Sequence, residues 1–194
     1  MTVVLPVGFR LGPETVPAAV AGSVRLGWAR HALDEDEARV WDLAHGLAGD
    51  DPLCGHDLLL AHAAAVGVAE PEAVVARLAG RSLLVHVPPS ADDLADLARR
   101  LVARPLLVGI GAGRDPSTRA LGLPGWPVLE LPLATALRWE STGTAADLQE
   151  AAELAAGALG DPAAVRAALA DVVGDLPVLL SHHCGYLDLA DPRG

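Results

Sequence analysis

The stretch LDEDEARVWDLAHG, residues 33–46, decides how the chain is read. Ala38, Val40, Trp41, Leu43 and Ala44 recur at helical spacing, which predicts an amphipathic helix. Asp34 is the N-cap residue, and the acids behind it fall in the first turn, where the helix dipole favours negative charge. Downstream, Leu58, Leu59, Ala61, His62, Ala65 and Val66 give a second helical pattern, ended by Gly67. Glu70-Pro71 opens a third helix with Pro near its first position, and Val74, Val75, Leu78 and Ala79 form its apolar stripe. SLLVHV, residues 82–87, is a short apolar run stopped by Pro88-Pro89 and predicts a strand. Three short helices with tight connections and a trailing strand make a winged-helix pattern, a relative of helix-turn-helix.

Upstream, residues 1–30 carry short apolar runs broken by Gly and Pro, which predict two or three strands, the last around Val24 to Trp28. Downstream, SADDLADLARRLVAR predicts a connector helix with Ser90 as N-cap and Pro105 as its end. From Pro105 the pattern begins again. LLVGIGAGRDPS lies against LPVGFRLGPETV, and LPLATALRWESTG against LDEDEARVWDLAHG, with Trp139 at the place of Trp41. Pro162 stands where Pro71 stood, and LPVLLSHHCGYLDL closes the second unit as SLLVHV closes the first. The expected architecture is therefore α+β, with winged-helix-like units at 1–89 and 105–194 joined by a connector helix at 90–104.

Composition narrows the functional classes. With 52% hydrophobic residues the chain can bury a sizeable core. No apolar run lasts the roughly 18 residues of a membrane helix, and no charged n-region precedes an apolar run at the N-terminus. The expected location is cytoplasmic, with no membrane partner. Two cysteines, Cys54 and Cys184, make no disulfide framework. The formal net charge is -11, every basic residue is Arg, and Lys and Asn are absent. Abundant Ala, Arg, Gly and Val point to a high-GC bacterial genome. An acidic chain repels a duplex at long range, which makes DNA a disfavoured partner without excluding it.

The order of strands followed by three helices led by Leu33-Asp34-Glu35-Asp36-Glu37-Ala38-Arg39-Val40-Trp41-Asp42-Leu43-Ala44-His45-Gly46 resembles the PqqD-like peptide-recognition domains of peptide natural-product biosynthesis. The likeness covers about 80 residues of the first half and, more faintly, a similar span of the second. It departs from the family in its long connection between the first two helices, in Asp34 after the opening Leu, and in having two units. The resemblance implies binding of an extended leader peptide as an added strand, with side chains resting beside the third helix. On this chain it assigns Ser23, Arg25 and Gly27 to the strand edge, within 23–29, and Val74, Arg77, Leu78 and Arg81 to the groove wall. Arg77 and Arg81 are one turn apart and face the same way, towards acidic peptide side chains. A solvated helix face balanced by Glu70 and Glu72 is the plainer reading of the same two residues.

Other chemistry is weaker. Gly109-Ile110-Gly111-Ala112-Gly113 has the look of a phosphate loop, but Arg114-Asp115-Pro116-Ser117 is turn-like and no G-K-[ST] follows, so a Gly-rich hairpin is preferred. Cys54, His56, His182 and Cys184 would suffice in number for zinc if the fold assembled them; a buried Cys beside partly exposed His is the simpler expectation. There is no nucleophile elbow, and Ser181-His182 diverge on a presumed strand. Trp28, Trp41, Trp126 and Trp139 read as paired core anchors. Arg99, Arg100, Arg104, Arg114 and Arg119 are the basic concentration, expected to form salt bridges or to join the halves. The leading expectation is a non-catalytic peptide- or protein-binding accessory protein with no cofactor. A winged-helix transcription regulator and a small enzyme or ligand-binding protein are the alternatives. Winged-helix proteins often dimerise, which makes a second copy a further candidate partner.

Overall fold

Asp34 does begin a helix. Its carboxylate accepts from the Glu37 N–H at 2.8 Å and the Glu37 side chain accepts from the Asp34 N–H at 3.3 Å, closing a capping box. The computed structural model of the chain describes residues 2–11, 21–46, 55–157 and 160–191. In chain order these form β1 (Val4–Pro6), β2 (Phe9–Leu11), β3 (Gly22–Leu26), β4 (Ala29–Leu33), α1 (Glu35–Leu43), α2 (His56–Ala65), α3 (Pro71–Gly80) and β5 (Leu84–His86). There follow α4 (Ala91–Ala98), β6 (Leu101–Pro105), β7 (Val108–Ala112), β8 (Thr118–Leu123), β9 (Trp126–Pro132), α5 (Leu133–Thr142), α6 (Leu148–Ala156), α7 (Pro162–Ser181) and β10 (Gly185–Leu189). The fold is mixed α+β with small antiparallel sheets.

The pairing scheme occurs twice. β1 pairs antiparallel with β5, and β2-β3-β4 form a three-stranded sheet; β6 pairs antiparallel with β10, and β7-β8-β9 form the second such sheet. The third helix ends the same way in each half. The Leu83 N–H reaches back to the Leu78 carbonyl and the Cys184 N–H to the Leu179 carbonyl, both at 2.9 Å. Ser82 (φ 58) and His183 (φ 52) occupy the left-handed position between. Trp41 and Trp139 are each 2% exposed, so the first helix of each half is fixed by the same anchor.

Three elements differ from the sequence reading. Ala29–Leu33, beyond the last strand expected around Val24 to Trp28, is strand β4, and Gly27-Trp28 is the two-residue turn that joins it to β3. Gly27 has φ 55, a conformation that side-chain-bearing residues adopt at a cost, so the glycine sets the hairpin. The helix expected to reach Pro105 stops at Ala98, because Leu101, Val102 and Ala103 are all buried in a strand paired to β10. LPVLLS, expected to be a strand, is the last part of α7. Leu169, Val172, Val173, Leu176, Leu179 and Leu180 continue a buried helical stripe through Pro177, and this packing overrides the hydrogen bond that Pro removes.

The halves share one continuous apolar core. They are joined by a main-chain hydrogen bond and an aromatic contact as well. The Gly8 N–H donates to the Leu187 carbonyl at 2.7 Å, and the Phe9 and Tyr186 rings lie 4.9 Å apart. Among the described residues, no helix is long and apolar enough to cross a membrane.

Candidate binding edge

The residues assigned to the strand edge do not lie on one. β3 is the middle strand of its sheet, flanked by β2 and β4, so its main-chain groups are already paired. Ser23 is 2% exposed, and its hydroxyl accepts from Arg30 Nε at 3.2 Å. Arg25 joins the two halves. Its guanidinium donates to the Tyr186 hydroxyl at 2.8 Å and to the Gly27 carbonyl at 3.2 Å, and it lies 3.5 Å from the Asp188 carboxylate. The Gly27 N–H donates to that same carboxylate at 2.6 Å.

β4, the neighbour that the sequence reading passed over, is an edge strand of this sheet. It pairs with β3 on one side and with no strand on the other among the described residues. The C-terminal end of α3 runs beside it. Arg81 Nη2 donates to the outward-facing Ala32 carbonyl at 2.7 Å, and Arg81 Nη1 donates to Glu37 Oε2 at 2.9 Å. Arg77 lies 3.5 Å from Glu37 and 3.7 Å from Asp34. Arg77 of α3 and Arg81 at its C-cap therefore converge on one buried carboxylate of α1, and the balancing acids are Glu37 and Asp34 rather than Glu70 and Glu72. Arg77 remains half exposed. His31, on β4, has its pKa lowered by burial and by the Arg81 charge, which keeps it neutral near pH 7.

Val74 and Leu78, assigned to the groove wall, are 2% and 0% exposed. They face the core because the α3 stripe packs on α1, so the outward wall consists of Arg77 and Arg81.

The remaining candidates resolve individually. Val108–Ala112 is strand β7, hairpin-paired with β8, and the Arg119–Glu140 ion pair sits so close over Gly109 that a Cβ there would meet both side chains. Arg99 pairs with Asp96 at 3.0 Å and Arg114 with Glu130 at 3.5 Å, so much of the basic concentration is already neutralised. Cys184 is buried, and burial pushes its thiol up to about 11, far from a reactive thiolate. The His56 and His86 rings lie 5.3 Å apart and the His45 and His183 rings 5.7 Å apart, each pair tilted. Among the described residues no three His, Cys, Asp or Glu are grouped to hold a metal; Cys54 lies outside those residues.

The tryptophans divide in a way the sequence reading missed. Trp41 and Trp139 are core, but Trp28 and Trp126 are 93% and 73% exposed. Both stand at the turn of the hairpin before the first helix of their half, each next to a left-handed glycine, Gly27 or Gly125. The Gly-Trp pair between short apolar runs was the available signal for a turn.

Compared with known proteins, the chain matches no family model, no curated protein and no solved structure.

Proposed function

We propose that the chain is a non-catalytic peptide- or protein-binding accessory protein. Its two halves are winged-helix-like in the manner of PqqD-like domains, and it takes an extended segment as a fourth strand on β4. One observation carries this reading: β4 has no strand on its outer side among the described residues, and the side chain of Arg81, the C-cap of α3, holds one of its outward carbonyls. An exposed edge is a template for pairing, and proteins protect such edges with charged groups. Arg81 protects this one. An incoming strand would supply its own N–H to the Ala32 carbonyl and release the Arg81 guanidinium to meet an acidic side chain of the partner. Trp28, at the head of the same strand, offers an apolar contact where the segment would enter.

The test is selection of binders from a displayed library of random linear peptides on the full chain. Enriched sequences should carry an acidic position and should bind at least about tenfold more weakly to Ala32→Pro, which removes an outward N–H, and to Arg81→Glu. Failure to enrich any sequence, or binders indifferent to both substitutions, overturns the reading.

A further inference from the structure

A cleft of about 320 Å³ opens where the two halves meet. Its wall collects aromatic rings in a chain that has few. The only Phe and the only Tyr, Phe9 and Tyr186, both line it, together with Trp41, His45 and His183. Each half contributes part of the wall, so the site exists once although the fold is repeated. The two histidines are not demanded by the repeat. The same helix ending is built with Ser82 in place of His183, and the position four residues after Trp139 is Gly143 where His45 follows Trp41.

The polar groups narrow what could enter. His45 Nδ1 lies 3.1 Å from the Trp41 carbonyl and donates to it, which leaves Nε2, on the opposite edge of the ring, as an acceptor. Burial holds this ring down to about 4, so it is neutral near pH 7. The Tyr186 oxygen accepts from Arg25, which leaves its own O–H to donate. Arg10 is already bonded to Asp42 at 2.6 Å, so the cleft carries no unmatched positive charge for an anion. The Arg25 guanidinium lies over the Phe9 and Tyr186 rings, 6.0 and 5.7 Å from their centroids, and opposes a second cation there. The described histidines and acids do not group for a metal.

We infer that this junction cleft is a binding site for an uncharged planar heteroaromatic ring that carries both an N–H donor and an acceptor. The ring stacks against the partly exposed Phe9, His45 and Tyr186 side chains, gives its N–H to His45 Nε2 and accepts from the Tyr186 hydroxyl. A cleft of this size, largely apolar with a few convergent polar groups, holds one or two fused rings. The inference does not depend on strand addition at β4, which lies on the other side of the sheet from β2.

The test is a protein-observed NMR titration of the full chain with adenine and with benzimidazole, raised to millimolar concentration. The expected result is a set of saturable shifts confined to residues 8–10, 45–46 and 183–186. The shifts should persist in Trp28→Ala, weaken about tenfold in His45→Phe, which keeps a ring and removes the acceptor, and vanish in Leu106→Trp, which fills the cleft. If His45→Phe fails to fold, the Leu106→Trp comparison decides. Absence of shifts with both probes, shifts elsewhere on the surface, or binding unchanged in folded His45→Phe or Leu106→Trp overturns the assignment.

Discussion

The Gly27 main-chain N–H donates to the buried Asp188 carboxylate at 2.6 Å, across 161 residues of sequence. The turn that presents Trp28 is thereby fastened to the last strand of the other half. The same carboxylate accepts from the Leu189 N–H at 2.9 Å and faces Arg25 at 3.5 Å. Removing it leaves a main-chain donor and a guanidinium short of an acceptor. Asp188→Ala is expected to lower stability by about 2 kcal/mol, and Asp188→Asn by less, since the amide oxygen still accepts. Urea denaturation of both variants checks the order.

Acid should loosen the protein in a defined window. Burial lowers the His45 pKa from 6.5 to about 4, and it also lowers those of His86 and His31. A base with a lowered folded-state pKa takes up protons more readily when unfolded. Its contribution is complete above pH 6.5 and is lost as the pH falls from there towards 4. For His45 the loss is at most about 3 kcal/mol. Urea midpoints measured between about pH 7 and pH 4.5 should fall steadily, and His45→Gln should flatten the fall. An unchanged slope in that variant would mean that His45 is solvated.

The four tryptophans should separate experimentally into two classes. Trp28→Ala and Trp126→Ala should change stability by no more than about 0.5 kcal/mol, whereas Trp41→Ala and Trp139→Ala should each cost about 3–5 kcal/mol. Iodide should quench the first pair and spare the second. Trp41 has an added tie, since its indole N–H donates to the Val7 carbonyl at 3.2 Å, while the Trp139 N–H has no acceptor. Trp41→Phe is therefore expected to cost more than Trp139→Phe.

Two glycines offer a contrast in sign. A Cβ at Gly185 would stand 2.5 Å from the Arg104 carbonyl oxygen and 2.6 Å from the Trp139 ring. Gly185→Ala should destabilise by about 1–3 kcal/mol. At Gly174, inside α7, a Cβ meets nothing within 4 Å. Gly174→Ala should stabilise by roughly 0.5–1 kcal/mol, because the helix no longer carries the glycine's extra freedom when unfolded. Thermal melts of the two variants should move in opposite directions.

Local chemistry made the helix starts legible. Asp34, Pro71, Ser90 and Pro162 each stand where a helix begins, because capping and proline placement are decided within a few residues. The α7 extension was not legible, since Pro177 argues locally for a break and only the buried stripe, a tertiary fact, carries the helix past it. The candidate edge failed for a related reason. Ser23 and Arg25 do fall in a strand, β3, and Gly27 in the turn after it, but whether a strand is central or lateral depends on what lies beside it, and β4 stands between Trp28 and the first helix. The convergence of Arg77 and Arg81 followed from helical spacing; their acidic partner, Glu37, came from a different helix and had no signal in their neighbourhood.

Each half closes its first strand against its last, Val4 meeting His86 and Leu101 meeting Leu189. Neither half can complete its framework until its final strand has been synthesised, so assembly must wait on distant rather than adjacent partners. During translation the first half can shut once Leu84–His86 are made, yet its Phe9 ring and the Gly27 amide stay wet until Tyr186 and Asp188 follow. The nascent protein thus exposes its joining surface longest.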